Sequence, residues 1–346
     1  MNFSDVKHIG RTCEDKGLLW LGLSGSGIEF EATGKSAVLT LTGDRTALAD
    51  WAENDRARYA VYVDGEKIVD ETMTSAEKTI TLFEGEKTRT AVIKVLKLSE
   101  APMSLVAIKE IIADEIKPTP EKKLKIEIIG DSITCGYGVD AKNELEDFST
   151  STEDVTRAYS YKTVTDLDAD YSFVSYSGHG IISGYTAQAI KKESELVPPY
   201  YEKFAFSRGG ADDFNAFDVE WDFSRFVPDL VIINLGTNDS SYCLDKEDRI
   251  NEYIARYEDF LGVVRKRNKN AVILSILGLM GTSLCPAVEK TVENFKKNTG
   301  DEKIFTLRLT EQKPENGYGA NYHPTEKSHR LAADELIAKI KEIMKL

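Results

Sequence analysis

Apolar and polar residues alternate at a period of two through much of the first third of the chain. Residues 37–41, 59–63, 78–83, 90–96 and 105–108 are short runs rich in β-branched and aromatic side chains, which suit the pleated, half-buried surface of a strand. Asp64-Gly65, between the second run and residues 66–69, is a hairpin signal, because both residue types tolerate positive φ. No long helical period interrupts these runs. Residues 1–116 therefore predict a β-sandwich of the jelly-roll kind.

The period changes after Pro118-Thr119-Pro120, where two prolines resist both helix and central strand. Residues 125–129, 171–175, 230–233, 271–274 and 303–307 read as strands buried on both faces. Between them, Ile250, Tyr253, Ile254, Tyr257, Leu261 and Val264 recur three and four apart, the stripe of an amphipathic helix. A second helix is expected from Pro286 to near Gly300, and a third along Ala332, Leu336, Ile340 and Ile343. Strands alternating with helices predict a three-layer α/β/α unit with a parallel sheet over residues 124–346. Such sheets carry their sites outside the carboxyl ends of the strands.

A net charge of -14 over 346 residues repels a polyanion, and no Lys/Arg cluster offsets it, so nucleic acid is excluded as a partner. No apolar run is long enough to cross a bilayer, so no membrane partner is expected. Residues 1–7 lack a basic region followed by an apolar one, which makes the cytoplasm the expected compartment, or the exterior if the chain has been trimmed. Cys13, Cys135, Cys243 and Cys285 show no C-x-x-C spacing and no nearby His pair, so no structural metal is expected. Cys135, three residues after Ser132, reads as a packed thiol. Self-association stays open, with Trp51 and Tyr59 as aromatic contact candidates.

Four separated segments carry chemistry: Gly130-Asp131-Ser132, Ser177-Gly178-His179-Gly180, Gly236-Thr237-Asn238-Asp239 and Asn321-Tyr322-His323-Pro324. Ser132 at a strand-to-helix turn offers a hydroxyl to both a base and a substrate. His323, fixed by Pro324, offers a base whose ordinary pKa lies near neutrality. The Ser132 amide, the amide of Gly180 or Gly178, and the Asn238 side chain are donors for a developing oxyanion. Each alone has an ordinary alternative: an N-cap, a capping histidine, a glycine turn, an Asx turn. All four in this order, each at a strand end or in a loop, point to acyl transfer. The G-x-S-x-G elbow of the α/β-hydrolases is absent. Gly178-His179-Gly180 misses the dinucleotide fingerprint by one position. His179 reads equally as a substrate contact or a packed residue. Trp221, Tyr137, Tyr200 and Tyr201 are candidate aromatic surfaces for a sugar.

Together these blocks resemble the SGNH (GDSL-like) hydrolase superfamily over residues 124–346, whose Ser, Gly, Asn and His match Ser132, Gly180 (or Gly178), Asn238 and His323. With the sandwich in front, the chain resembles carbohydrate esterase family two. That resemblance implies a cofactor-free serine esterase that removes O-acetyl groups from plant polysaccharides or oligosaccharides of the acetylated xylan or glucomannan type. One position departs from the superfamily pattern: Ala320 stands where an Asp is usual, three before the histidine. The resemblance then implies a Ser132–His323 dyad whose imidazole is oriented by a backbone carbonyl, with Tyr322 as the expected source and neutral Asn321 as a possible helper. Two other readings remain open: an SGNH lipase or thioesterase for longer acyl chains, and a carbohydrate-binding protein with a decayed site.

Overall fold

The structure, a computed structural model, describes residues 3–48, 52–211 and 213–346; Trp51 lies outside them. Nine antiparallel strands fill the N-terminal third: β1 (Lys7–Ile9), β2 (Thr12–Asp15), β3 (Leu18–Leu21), β4 (Gly27–Gly43), β5 (Arg58–Val63), β6 (Glu66–Thr72), β7 (Glu77–Lys97), β8 (Val106–Ile112) and β9 (Glu115–Pro118). The sheet order is β2-β3-β8-β4-β7-β5-β6, with β1 and β9 pairing along β4. The runs at 78–83 and 90–96, expected as two strands, are one long strand, β7. Register shifts between Gly34 and Ser36 and between Ala37 and Val38 break its pairing with β4. Bulges of this kind bend a strand, so the first half of β4 pairs with β1 and β9 while its second half pairs with β8. A sandwich-like wrap around Phe30, Leu39, Tyr59, Ile93 and Ile108 follows. Tyr59 is fully buried there and its hydroxyl donates to Glu71, which removes it as a contact between subunits.

The second half is a five-stranded parallel sheet of β10 (Leu124–Gly130), β11 (Ala169–Ser175), β12 (Leu230–Asn234), β13 (Val272–Leu277) and β14 (Ile304–Arg308), in the order β11-β10-β12-β13-β14. All five expected strands are present. Helices α1 (Ser132–Cys135), α2 (Tyr159–Asp166), α3 (Pro198–Tyr201), α4 (Thr237–Cys243), α5 (Glu247–Arg267) and α6 (Cys285–Thr299) lie in its connections, and α7 (Glu326–Met344) follows its last strand. The order reverses around β10, and the chain leaves β10 and β12 directly into α1 and α4. None of the helices among the described residues is long and apolar enough to cross a membrane.

The two halves share buried material. The largest apolar cluster joins Trp20, Leu23, Ala101 and Leu105 to Ile129, Val174, Tyr201 and Phe204, and Trp20 stacks on Phe214 at 5.1 Å. Arg11, between β1 and β2, is wholly buried. Its guanidinium donates to the Tyr201 and Lys203 carbonyls at 2.6 Å and to Glu127 on β10 at 3.2 Å. Glu127 also accepts from the Tyr201 hydroxyl at 2.8 Å. A second chain of ion pairs runs from Arg58 on β5 through Asp140 and Arg157 to Glu326, at the start of α7.

Removing one partner of a buried pair strands the other charge. Arg11→Ala is therefore expected to lower the unfolding free energy by about 3–5 kcal/mol, read from urea denaturation. A loss below about 1 kcal/mol would contradict the seam described here.

Candidate active site

Ser132 is the first residue of α1, and the Asp131 side chain caps that helix by accepting from the Ile133 amide at 3.1 Å. The cap turns the chain sharply out of β10 and leaves the Ser132 amide without a partner among the described residues. Ser132 Oγ lies 2.8 Å from His323 Nε2. The histidine reaches it from the loop after β14, and that loop is bolted to the serine loop: the Ala320 amide donates to the Gly138 carbonyl at 3.1 Å. Gly138 has φ +59, and a Cβ on it would stand 2.4 Å from Ala320 Cβ, so only glycine allows this approach.

The other imidazole nitrogen corrects an expectation. His323 Nδ1 meets the Ala320 carbonyl at 3.0 Å, whereas the Tyr322 carbonyl accepts from Gln312 at 2.8 Å. The Asn321 side chain donates to the Tyr137 hydroxyl at 2.9 Å and does not reach the imidazole. Backbone conformation is the reason. Asn321 and Tyr322 both adopt positive φ (50° and 62°), which doubles the chain back so that the Ala320 carbonyl faces Nδ1. Burial pushes His323 down to about 4, with the Ala320 and Asn321 carbonyls pulling the other way. The ring is half-buried and packs against Tyr137, centroids 4.1 Å apart. Tyr137 stacks in turn on Phe148 at 4.2 Å.

Of the two glycines expected to supply an oxyanion donor, Gly180 spends its amide on the Glu195 carbonyl at 3.1 Å. It is glycine for space, since a Cβ would meet Ser183 O at 2.2 Å and Asp239 Oδ2 at 2.6 Å. The Gly178 amide has no partner among the described residues, and its φ of +77 is the left-handed conformation that glycine adopts without strain. Asn238 is buried on α4. Its amide donates to the His179 carbonyl at 2.8 Å and more loosely to Asp131 at 3.2 Å. Asp239, a neighbour without an assigned role in the sequence reading, accepts from the Ile181, Ile182 and Ser183 amides at 2.7–3.1 Å and so shapes the glycine loop. Burial pushes Asp131 up to about 7 and Asp239 up to about 6, against the amides that favour their ionised forms.

The substrate-contact expectations divide. Tyr137 stands at the dyad. His179 has its ring buried between Tyr176 and Tyr200, and it is its carbonyl that meets the site, through Asn238. Trp221 belongs elsewhere. It is buried, with Arg11 and Arg225 each 5.1 Å from its ring. It lines a groove of about 820 Å³ beside Lys125 and Ala169, at the amino ends of β10 and β11. A tryptophan there is on the wrong edge of the sheet to meet Ser132. Two exposed rings went unforeseen. Tyr322 is 54% exposed beside the base, and Tyr185 is 56% exposed with its amide bonded to the Gly178 carbonyl at 2.8 Å. No periodicity marks such residues, because each is placed by a loop. Cys135 is buried with its thiol 3.2 Å from Ser175 Oγ.

Both halves of the chain are similar to known proteins. The sequence profile of GDSL-like lipases/acylhydrolases matches residues 126–336, and that of the carbohydrate esterase 2 N-terminal region matches residues 8–120. The cellulase/esterase CelE of Acetivibrio thermocellus is 28% identical over 326 residues, which are 92% of this chain and 37% of CelE; the chain thus spans little over a third of that relative. An acetylxylan esterase/glucomannan deacetylase of Cellvibrio japonicus is 24% identical over 92% of this chain and 85% of its own. Among solved structures, an acetyl xylan esterase (Est2A) from the rumen bacterium Butyrivibrio proteoclasticus superposes with a TM-score of 0.87 at 26% identity, covering 100% of this chain and 96% of that one. A family two carbohydrate esterase from Clostridium thermocellum in complex with cellohexaose gives a TM-score of 0.83 at 26% identity, over 98% and 99%. With more than half of its length matched by one profile and the strands before it by the other, the chain belongs to the GDSL-like lipases/acylhydrolases and carries the N-terminal region of carbohydrate esterase family 2.

Proposed function

We propose that this protein is a serine esterase that removes acetyl groups from O-acetylated plant polysaccharides or oligosaccharides, through Ser132 and His323. The observation that carries the proposal is the 2.8 Å contact between Ser132 Oγ and His323 Nε2, beside two amides, of Ser132 and Gly178, that have no partner among the described residues. Relatives named as acetylxylan esterases and a glucomannan deacetylase support the substrate class.

The chemistry runs in two halves. His323 Nε2 takes the Ser132 proton as the oxygen attacks the acetyl carbonyl. The Ser132 and Gly178 amides hold the oxyanion, joined by the Asn238 N–H that now points loosely at Asp131. The imidazolium returns its proton to the leaving sugar oxygen, and water repeats the cycle to release acetate. The Ala320 carbonyl keeps Nδ1 as the protonated nitrogen, which is the orienting half of what a triad aspartate does; being neutral, it leaves out most of the charge stabilisation. The sugar rests against the exposed rings of Tyr322, next to the base in the chain, and Tyr185, whose amide is bonded to the Gly178 carbonyl.

Acetate release from acetylated xylan, acetylated glucomannan and monosaccharide acetates tests the proposal. Ser132→Ala and His323→Ala should each lower kcat by at least about 10³-fold, while Asn321→Ala should stay within about tenfold of the parent. An Asn321→Ala loss as deep as that of Ser132→Ala would overturn the dyad. Faster turnover of p-nitrophenyl octanoate than of the acetate would overturn the short acyl group. The low His323 pKa sets the pH dependence. A base whose folded-state value is depressed stays neutral, and competent, until pH falls through that value. With His323 pushed down to about 4, kcat/KM should hold from neutrality to about pH 5 and reach half its plateau near pH 4. An acid limb centred at or above the unperturbed histidine value of about 6.5 would contradict that assignment.

A further inference from the structure

Behind the oxyanion loop, at the seam between the halves, lie two carboxyl groups that the mechanism above does not use. Glu100 comes from the turn between β7 and β8, and Glu153 from the loop between α1 and α2. Both are fully buried. The Glu100 amide donates to Glu153 Oε2 at 2.9 Å, and Glu100 Oε2 accepts from the Ser177 amide at 2.7 Å. Ser177 is the residue before Gly178. The remaining oxygen of each group, Oε1 of Glu100 and Oε1 of Glu153, is buried with no hydrogen-bond partner among the described residues. An oxygen from each, together with Cys135 Sγ, falls within 4.8 Å of the others. Lys97 is the fully buried cation beside them, its ammonium donating to the Ser99 and Glu100 carbonyls at 2.6 and 2.9 Å; Arg58 donates to the Glu153 carbonyl at 3.3 Å but is paired with Asp70 and Asp140, and the exposed Arg208 acts on Glu100 from the surface.

We propose that Glu100 is a positioning residue for the esterase reaction, holding the Gly178 amide on the oxyanion through the Ser177 N–H, and that it does so as half of an acid pair with Glu153 that keeps one proton. Two ionised carboxylates and one ammonium would leave an uncompensated negative charge in a site closed to water, which is costly. A single retained proton balances the Lys97 ammonium and supplies a donor to a cluster that otherwise holds two unpartnered acceptor oxygens, since a carboxylic O–H donates where a carboxylate only accepts. Burial acts in the same sense, raising both carboxyl groups and lowering Lys97 to about 8. In this arrangement the N-terminal half contributes to catalysis without touching substrate. The assignment rests on the esterase reading for its kinetic part only.

The variants separate the two claims. In E100Q the amide oxygen accepts from Ser177 and the NH₂ group donates to Glu153, which reproduces the singly protonated pair. E153Q does the same from the other side. Both should keep kcat within about threefold of the parent and unfold at a similar temperature. E100A should lower kcat on the order of 10- to 100-fold, a fraction of the loss of one oxyanion donor, with KM changed less than about threefold. Rates are taken per Ser132 labelled by an organophosphorus reagent, so a smaller folded fraction does not count as slower chemistry. An E100A protein with parental kcat per labelled serine would overturn the positioning role. Gln variants as slow or as unstable as E100A would overturn the shared proton, as would a stoichiometric metal in elemental analysis of the parent. A parent protein with no esterase activity would sink the functional reading, and the unfolding temperatures of E100Q, E153Q and E100A would still test the proton.

Discussion

A charge removed from water organises this molecule. Arg11 belongs to a turn of the antiparallel half, yet its guanidinium lies among the elements of the parallel half, against Glu127 and two backbone carbonyls. Neither charge is hydrated there, so each depends on the other. The apolar cluster around Trp20 and Phe214 contributes a larger but non-directional attraction. The guanidinium supplies direction, because its donors form a fixed planar fork. Glu127 lies on β10, whose carboxyl end opens into α1 at Ser132; just past the end of neighbouring β11, Ser177 donates to Glu100 of the other half.

At that end the site is an assembly of loops held at close backbone contact. The Gly138–Ala320 approach joins the Ser132 loop to the His323 loop, and Asp239 gathers three amides of the glycine loop. Consecutive left-handed residues at Asn321 and Tyr322 are unfavourable for side chains with a Cβ. Their cost is offset by the bonds from Asn321 to Tyr137 and from Gln312 to the Tyr322 carbonyl. What results is an imidazole oriented by a neutral partner and kept neutral by burial, as the proposed exchange of a proton with Ser132 requires.

The strand and helix pattern of the second half was legible because buried parallel strands and amphipathic helices write their periods directly into the chain. In the first half, β1, β2, β3 and β9 escaped notice: they are only three or four residues long, too short for a period to show. The long β7 read as two strands because its exposed middle interrupts the apolar run. Among the site residues, Ser132, Asn238 and His323 were marked by rare side chains at fixed offsets from strands. The choice between Gly178 and Gly180 was not, since it turns on which amide a distant carbonyl, that of Glu195, happens to engage.

Side-chain chemistry and local period are properties of the chain as written, and they sufficed for the two sheet types and for singling out Ser132 and His323, which folding brings together. The Ala320 carbonyl at the imidazole, the Glu100 contact to Ser177, and the displacement of Trp221 to the far edge of the sheet came only with folding. Every residue carries a carbonyl, and any buried acid or indole can sit on either edge of a sheet. Which one meets which partner is set by the folded backbone and by contacts between segments remote in the chain, such as Glu100 with Ser177 and Gly138 with Ala320, and no local pattern encodes such contacts.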